Sequence, residues 1–316
     1  MKIVTSYDLS AENLSSAHAI APKARFVAAV TDENKMREIE DAEVFFGFGL
    51  KPEMISKARN LRWIQFSSVG VESILSPELL NSDIVLTNAR GATAINISEH
   101  VMSLILAFAR TLHTSMKNQM DKFWENYRNL PVLEISGDTL GIVGLGNIGL
   151  QVSKRAHAFD MRILAVDPTQ TDKPDYVESL WQMNRLHDLL GQSDFVAICC
   201  PLTPQTKGMM GAPEFRAMKP TAILVTIGRG QIINQAALVN ALQTQEIAGA
   251  GLDVTDPEPL PQDSPLWEMD NVIITPHHAG ASPKSWVRIF GLFCENLRRF
   301  AAGEPLTNVV DQARGY

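Results

Sequence analysis

Thr139-Leu140-Gly141-Ile142-Val143-Gly144-Leu145-Gly146-Asn147-Ile148-Gly149 is the stretch on which the reading of this chain turns. An apolar, strand-like run leads into Gly-x-Gly-x-x-Gly, and a helical run over 150–159 follows. The order matters, because the three glycines carry weight only between a strand and a helix. Gly144 makes the tight turn, Gly146 lets the backbone approach a pyrophosphate, and Gly149 lets helix pack closely on strand. The helix N-terminus then offers free N–H groups and a positive dipole end to the phosphates. Asp167 closes the next apolar run, eighteen positions beyond Gly149. A carboxylate there accepts from adenosine ribose hydroxyls and repels a 2′-phosphate, so the expected cofactor is NAD rather than NADP.

Outward from this motif the chain alternates strand-like and helical patterns. Apolar runs at 140–143, 162–166, 195–200, 222–226, 248–253 and 272–275 predict six strands of a doubly wound parallel sheet. The first hundred residues repeat the rhythm with shorter runs at 3–4, 25–27, 44–46, 63–66 and 84–86, a second parallel α/β unit. Between the two, Val101, Leu104, Ile105, Phe108 and Leu112 recur at helical spacing and predict a buried helix over about 97–112 that bridges the domains. A last helical pattern runs from Trp286 to about Phe300 and ends at Gly303-Glu304-Pro305.

The chain has 316 residues, more than one core of ordinary size supports, so two domains are expected. A net charge of -7 argues against a broad grip on nucleic acid or anionic lipid, which depends on excess Lys and Arg. No signal peptide or membrane span is read. Cys199, Cys200 and Cys294 form no paired framework, read as buried thiols, and suit the cytoplasm. No metal is expected.

Ligands of open α/β sheets bind outside the carboxyl ends of the strands, and three successive strand ends here carry reactive side chains. Thr226-Ile227-Gly228-Arg229-Gly230 brings a guanidinium whose planar fork grips a carboxylate through two parallel hydrogen bonds. Asp253 opens a turn that contains Glu258, and Thr275-Pro276-His277-His278-Ala279-Gly280 brings an imidazole. Taken singly, each is an ordinary surface or turn residue. Together Arg229, Glu258 and His277 make an anchor, an orienting carboxylate and a proton donor, the minimum set for carbonyl reduction.

The glycine motif, Arg229-Gly230, Asp253 followed by Glu258-Pro259, and Pro276-His277 resemble, in order and spacing, the signatures of the D-isomer-specific 2-hydroxyacid dehydrogenase family over essentially the whole chain. The resemblance implies a flavodoxin-like substrate domain built from both termini, 1–97 with 286–316, and an inserted Rossmann NAD domain over 98–285. It also implies a cleft between them and a homodimer formed through the cofactor domain. It assigns the substrate carboxylate to Arg229, acid/base chemistry to His277, and support of that imidazole to Glu258. It places cofactor contacts at Gly144, Gly146, Asn147, Ile148, Gly149, Asp167, Cys200, Pro201, Thr206, Ile227, Gly228, Arg229, Asp253, His277 and Gly280, with Asp253 against the nicotinamide. Ser68, Val69 and Gly70 resemble the substrate loop of the outer domain, sharing the substrate with Arg229 and His277. Family members often have Asn and a small residue where this chain has Thr226 and Ile227.

These features imply hydride transfer between NAD(H) and C2 of a small 2-oxo or D-2-hydroxy acid, with glyoxylate and hydroxypyruvate as first substrates. The alternative is an NAD-sensing corepressor-type binding protein of the same fold. A formate dehydrogenase is disfavoured, since that family resembles this one with Gln where Glu258 stands. The wall of the substrate pocket falls to Phe46-Gly47-Phe48-Gly49-Leu50 and Trp286, which leaves the acid's side chain open.

Overall fold

A computed structural model describes residues 1–311. The chain forms two compact units, Met1–Thr93 with the segment from Ser282, and Ala94–Ala281. These boundaries lie four residues upstream of the 97/98 and 285/286 divisions read from sequence. The helix read over about 97–112 runs from Ala94 to Ala109, within the second unit, and the last helix begins at Pro283. Local signals start this last helix early. Ser282 caps the main chain at Lys284, and Pro283 takes the first helical position, where no N–H is needed.

The first unit holds strands β1 (Lys2–Thr5), β2 (Arg25–Ala28), β3 (Val44–Gly47), β4 (Trp63–Phe66) and β5 (Val85–Thr87). All pairs are parallel and the order is β2-β1-β3-β4-β5, the flavodoxin-like winding. Both faces are covered, so β3 and β4 are buried along their whole length. Side chains alternate accordingly. Phe45, Ile64 and Phe66 enter one core, while Phe46 and Trp63 enter the other, where Phe293 of the helix Pro283–Ala302 stacks on Phe46 at 4.2 Å between ring centres. The same helix is keyed to the sheet by a buried polar contact, Asn296 Nδ2 donating to Gln65 Oε1 at 2.9 Å. Gln65 Oε1 also accepts from Thr87 Oγ1, so the amide is satisfied despite its burial.

The second unit holds β6 (Thr139–Val143), β7 (Arg162–Val166), β8 (Ser179–Trp181), β9 (Phe195–Ile198), β10 (Ile223–Thr226), β11 (Gly249–Leu252) and β12 (Val272–Ile274). The order β12-β11-β10-β9-β6-β7-β8 is the Rossmann winding, with the chain reversing direction across the sheet between β6 and β9. Seven strands stand where the sequence predicted six. The missed one, β8, is three residues long and half-buried, too short to show alternation, and is held at the edge by its register against Leu164–Val166. Helix Ala94–Ala109 buries Val101, Leu104, Ile105 and Phe108 in the core beneath this sheet, together with Leu140, Ile142 and Val225.

Candidate active site

The glycine loop is built as its sequence requires. Gly144 follows β6 with φ +96°, and its N–H donates to Val166 O at 2.8 Å. A β-carbon at Gly149 would lie 2.2 Å from Gly144 O, so only glycine allows the helix Asn147–His157 this approach. Gly146 differs. A β-carbon there would meet no atom of the protein within 4 Å, and no side chain caps the helix that starts after it. The loop therefore keeps open space in front of uncapped N–H groups, with Asn147 and Ile148 in the first turn. That cradle fits a pyrophosphate.

Asp167 stands just past β7 and is buried. Its Oδ2 accepts from Leu145 N at 2.9 Å, inside the glycine loop, and its Oδ1 accepts from the N–H groups of Thr169 and Gln170, both at 2.8 Å. The carboxylate thus braces two loops, and Oδ2 keeps acceptor capacity for a ribose hydroxyl.

Cys200, after β9, is buried with its backbone N close against Gly144. Burial pushes its thiol up to about 12 and the neighbouring Cys199 thiol well above its usual range, so neither is a nucleophile at neutral pH. From Pro201 the chain turns back on itself, because Thr206 Oγ1 donates to Pro201 O at 2.7 Å and accepts from Thr203 N at 2.8 Å. Ile227 is buried after β10. Gly228 passes so near the carbonyl of Cys200 that a β-carbon would lie 2.9 Å from it. Arg229 is half-buried in extended backbone and donates from Nη1 to Gly228 O at 2.8 Å.

The parallel register sets β10, β11 and β12 side by side, so their carboxyl ends fall on one edge. His277 Nδ1 lies 2.7 Å from Glu258 Oε2, and Glu258 Oε1 accepts from Thr255 N at 3.1 Å. A carboxylate only accepts, so Nδ1 carries the hydrogen in this contact and Nε2 is left for a reacting group. Asp253 is buried at 2 % exposure. Its Oδ1 accepts from Thr275 Oγ1 at 2.6 Å and His278 N at 3.0 Å, and its Oδ2 accepts from Ala279 N at 3.0 Å. Gly280 follows directly. Ser68, Val69 and Gly70 lie in the other unit, half-buried after β4, where Ser68 O accepts from Ala89 N and Val69 O from Asn88 Nδ2.

Two residues of this edge escaped the sequence reading. His100, on helix Ala94–Ala109, places Nε2 3.0 Å from Thr275 Oγ1, and Asn96 on the same helix donates to Ala279 O at 2.8 Å. A single imidazole in a strongly apolar helix gives no local sign of its partner. His100, Asp253 and His278 set possible ligand atoms within 4.8 Å of one another, although three N–H and O–H donors already occupy the Asp253 oxygens.

A Rossmann unit with an open glycine loop and an imidazole–carboxylate pair at its strand ends defines a nicotinamide-dependent oxidoreductase. Comparison with known proteins identifies which one. Residues 102–279 match the profile of the D-isomer specific 2-hydroxyacid dehydrogenase, NAD binding domain. The chain is similar to glyoxylate reductase of Korarchaeum cryptofilum, 37% identical over 264 residues, covering 82% of this chain and 79% of that one. It is also similar to D-3-phosphoglycerate dehydrogenase of Methanocaldococcus jannaschii, 34% identical over 285 residues and 89% of this chain, and spans 54% of that relative's length. Among solved structures, a D-isomer specific 2-hydroxyacid dehydrogenase from Xanthobacter autotrophicus Py2 in complex with NADPH and MES superposes with a TM-score of 0.84 at 26% identity, over 100% of this chain and 99% of that one. The chain belongs to the D-isomer specific 2-hydroxyacid dehydrogenase family, oxidoreductases acting on CH–OH donors with a nicotinamide cofactor.

Proposed function

We propose that this protein reduces small 2-oxo acids to D-2-hydroxy acids, and catalyses the reverse oxidation, with NAD preferred and glyoxylate or hydroxypyruvate as first substrates. The observation that carries this reading is the 2.7 Å contact between Glu258 and His277, on a strand end two places from that of Arg229. Arg229 holds the substrate carboxylate. Glu258 accepts from Nδ1–H and orients the ring, and Nε2–H of the protonated imidazole donates to the carbonyl oxygen. Bound nicotinamide supplies the hydride to C2. In oxidation Nε2 takes the hydroxyl proton back.

The preference for NAD rests on Asp167, whose charge at the end of β7 opposes a 2′-phosphate. A purified sample assayed by NADH and NADPH absorbance against glyoxylate, hydroxypyruvate and branched or aromatic 2-oxo acids tests the proposal. Turnover of one or more acids with NADH is the expected result. Failure with all of them would overturn it, and retained NADH binding in that case would favour the corepressor-type binding protein.

We further infer a homodimer formed through the second unit. The helix Leu112–Met120 buries none of its residues, and the segment after it leaves Met120 at 84% and Trp124 at 96% exposure, with Met116, Phe123 and Tyr127 also exposed. Exposed large apolar side chains clustered along one segment of sequence mark a surface that another protein covers. A cytoplasmic setting is supported by three unpaired cysteines. Among the described residues no helix is long and apolar enough to cross a membrane.

A further inference from the structure

Helix Ala94–Ala109 carries one imidazole, that of His100, to the strand-end edge of the second unit. His100 Nε2 lies 3.0 Å from Thr275 Oγ1 and 3.6 Å from Asp253 Oδ1, and Thr275 Oγ1 lies 2.6 Å from the same carboxylate oxygen. Simple valence fixes the direction of this chain. The carboxylate only accepts, so the one hydroxyl hydrogen of Thr275 goes to Asp253 and Oγ1 turns lone pairs toward His100. Nε2 must then carry a hydrogen. Burial holds the His100 imidazole below its ordinary range, which keeps it a neutral, single donor at neutral pH.

The same Asp253 carboxylate also holds main chain. It accepts from the N–H groups of His278 and Ala279, while the backbone carbonyl of Asp253 accepts from His277 N at 2.9 Å. Between these bonds His277 adopts φ 50°, a left-handed conformation that a non-glycine residue keeps only where its surroundings impose it. That backbone rotation sets the direction of the imidazole and with it the contact to Glu258.

We propose that His100 is a positioning residue for His277: its Nε2–H holds Thr275 and, through it, the Asp253 carboxylate in the orientation that locks the main chain of 277–279. The inference rests on the role proposed for His277. Its effect passes through the hydrogen-bond chain, and an amide that supplies the same N–H replaces the imidazole.

His100→Gln keeps a donor at the place of Nε2, and His100→Leu removes it at similar size. Amide hydrogen exchange over 275–280, measured on the full chain with no cofactor or substrate added, is the first readout. In His100→Leu these amides should exchange about tenfold faster or more, with the glycine loop unchanged, and His100→Gln should stay within about threefold of the parent. The second readout is reductive kinetics with glyoxylate or the best acid found. His100→Leu should lose about tenfold in kcat with KM changed less than about twofold, and His100→Gln should recover most of it. Should His100→Leu fold poorly, Thr275→Val breaks the same chain from its middle and should reproduce both effects. Unchanged exchange at 277–279 in the Leu and Val variants would overturn the proposal, as would a Gln variant as impaired as Leu. Faster exchange in a protein whose parent reduces no 2-oxo acid would uphold the chain while refuting the chemistry assigned to His277.

Discussion

In the mechanism we propose, Glu258 and His277 act through one hydrogen bond, and substitution separates its two ends. His277→Ala removes the donor and should lower reductive kcat on the order of a hundredfold or more, whereas Glu258→Gln leaves a donor with a poorer guide and should cost on the order of tenfold. Equal losses, or near-parental turnover in His277→Ala, would move the donor elsewhere, with His278 next in line. Asp167 braces the glycine loop, and we propose that it also meets the ribose. Asp167→Asn keeps an acceptor and removes the charge, so the ratio of kcat/KM for NADH over NADPH should fall by about tenfold. An unchanged ratio would place the discrimination in another side chain. His100 adds a dependence of stability on pH. Desolvation lowers its affinity for protons in the fold, against Coulomb attraction from Asp253 and with repulsion from His278. As pH falls through 6.5 the unfolded chain takes up a proton that the folded one resists, so stability is lost toward acid. His100→Gln should flatten the fall in Tm on the acid side, and parallel Tm profiles for the two proteins would contradict that sign.

Among the elements, the loops after β10 and β11 pass each other main chain against main chain at Gly230. A β-carbon at Gly230 would lie 2.0 Å from Thr255 O and 2.8 Å from Asp256 N, both main-chain atoms that cannot rotate away. Gly230→Ala should therefore push the Arg229 loop from the Glu258 loop, costing about 1–3 kcal/mol or more of stability and a large share of kcat. Thermal unfolding and steady-state kinetics on one preparation check this, and a variant matching the parent in both would show that the loops have slack. The elements themselves were legible where their signals are local. The strand–glycine–helix unit of 139–157 was visible because the turn, the close packing and the apolar period all lie within nineteen residues. The edge strand Ser179–Trp181 was not, since three half-buried residues become a strand only by pairing with β7.

For the molecule as a whole, the exposed large apolar side chains between Leu112 and Leu133 make the oligomeric state a measurable consequence of the proposed interface. Light scattering after gel filtration should show a dimer, and the pair Met120→Glu with Trp124→Glu should shift it toward monomer with the far-ultraviolet spectrum preserved. A parent that stays monomeric at micromolar concentration would refute the interface.

The sequence by itself determined the two parallel sheets and the glycine turn, and it named the three side chains of the chemistry we propose. Apolar period, glycine spacing and the rule that sites lie at carboxyl strand ends are all properties of short segments. Tertiary structure alone decided which of those residues meet. His100 and Thr275 are 175 positions apart, and His277 is 19 from Glu258. Their contacts depend on the register of β10, β11 and β12 and on how helix Ala94–Ala109 beds beneath the sheet. Register and packing are set by hydrogen bonds and burial summed over the whole unit, so no local stretch of sequence encodes the donor chain from His100 through Thr275 to Asp253.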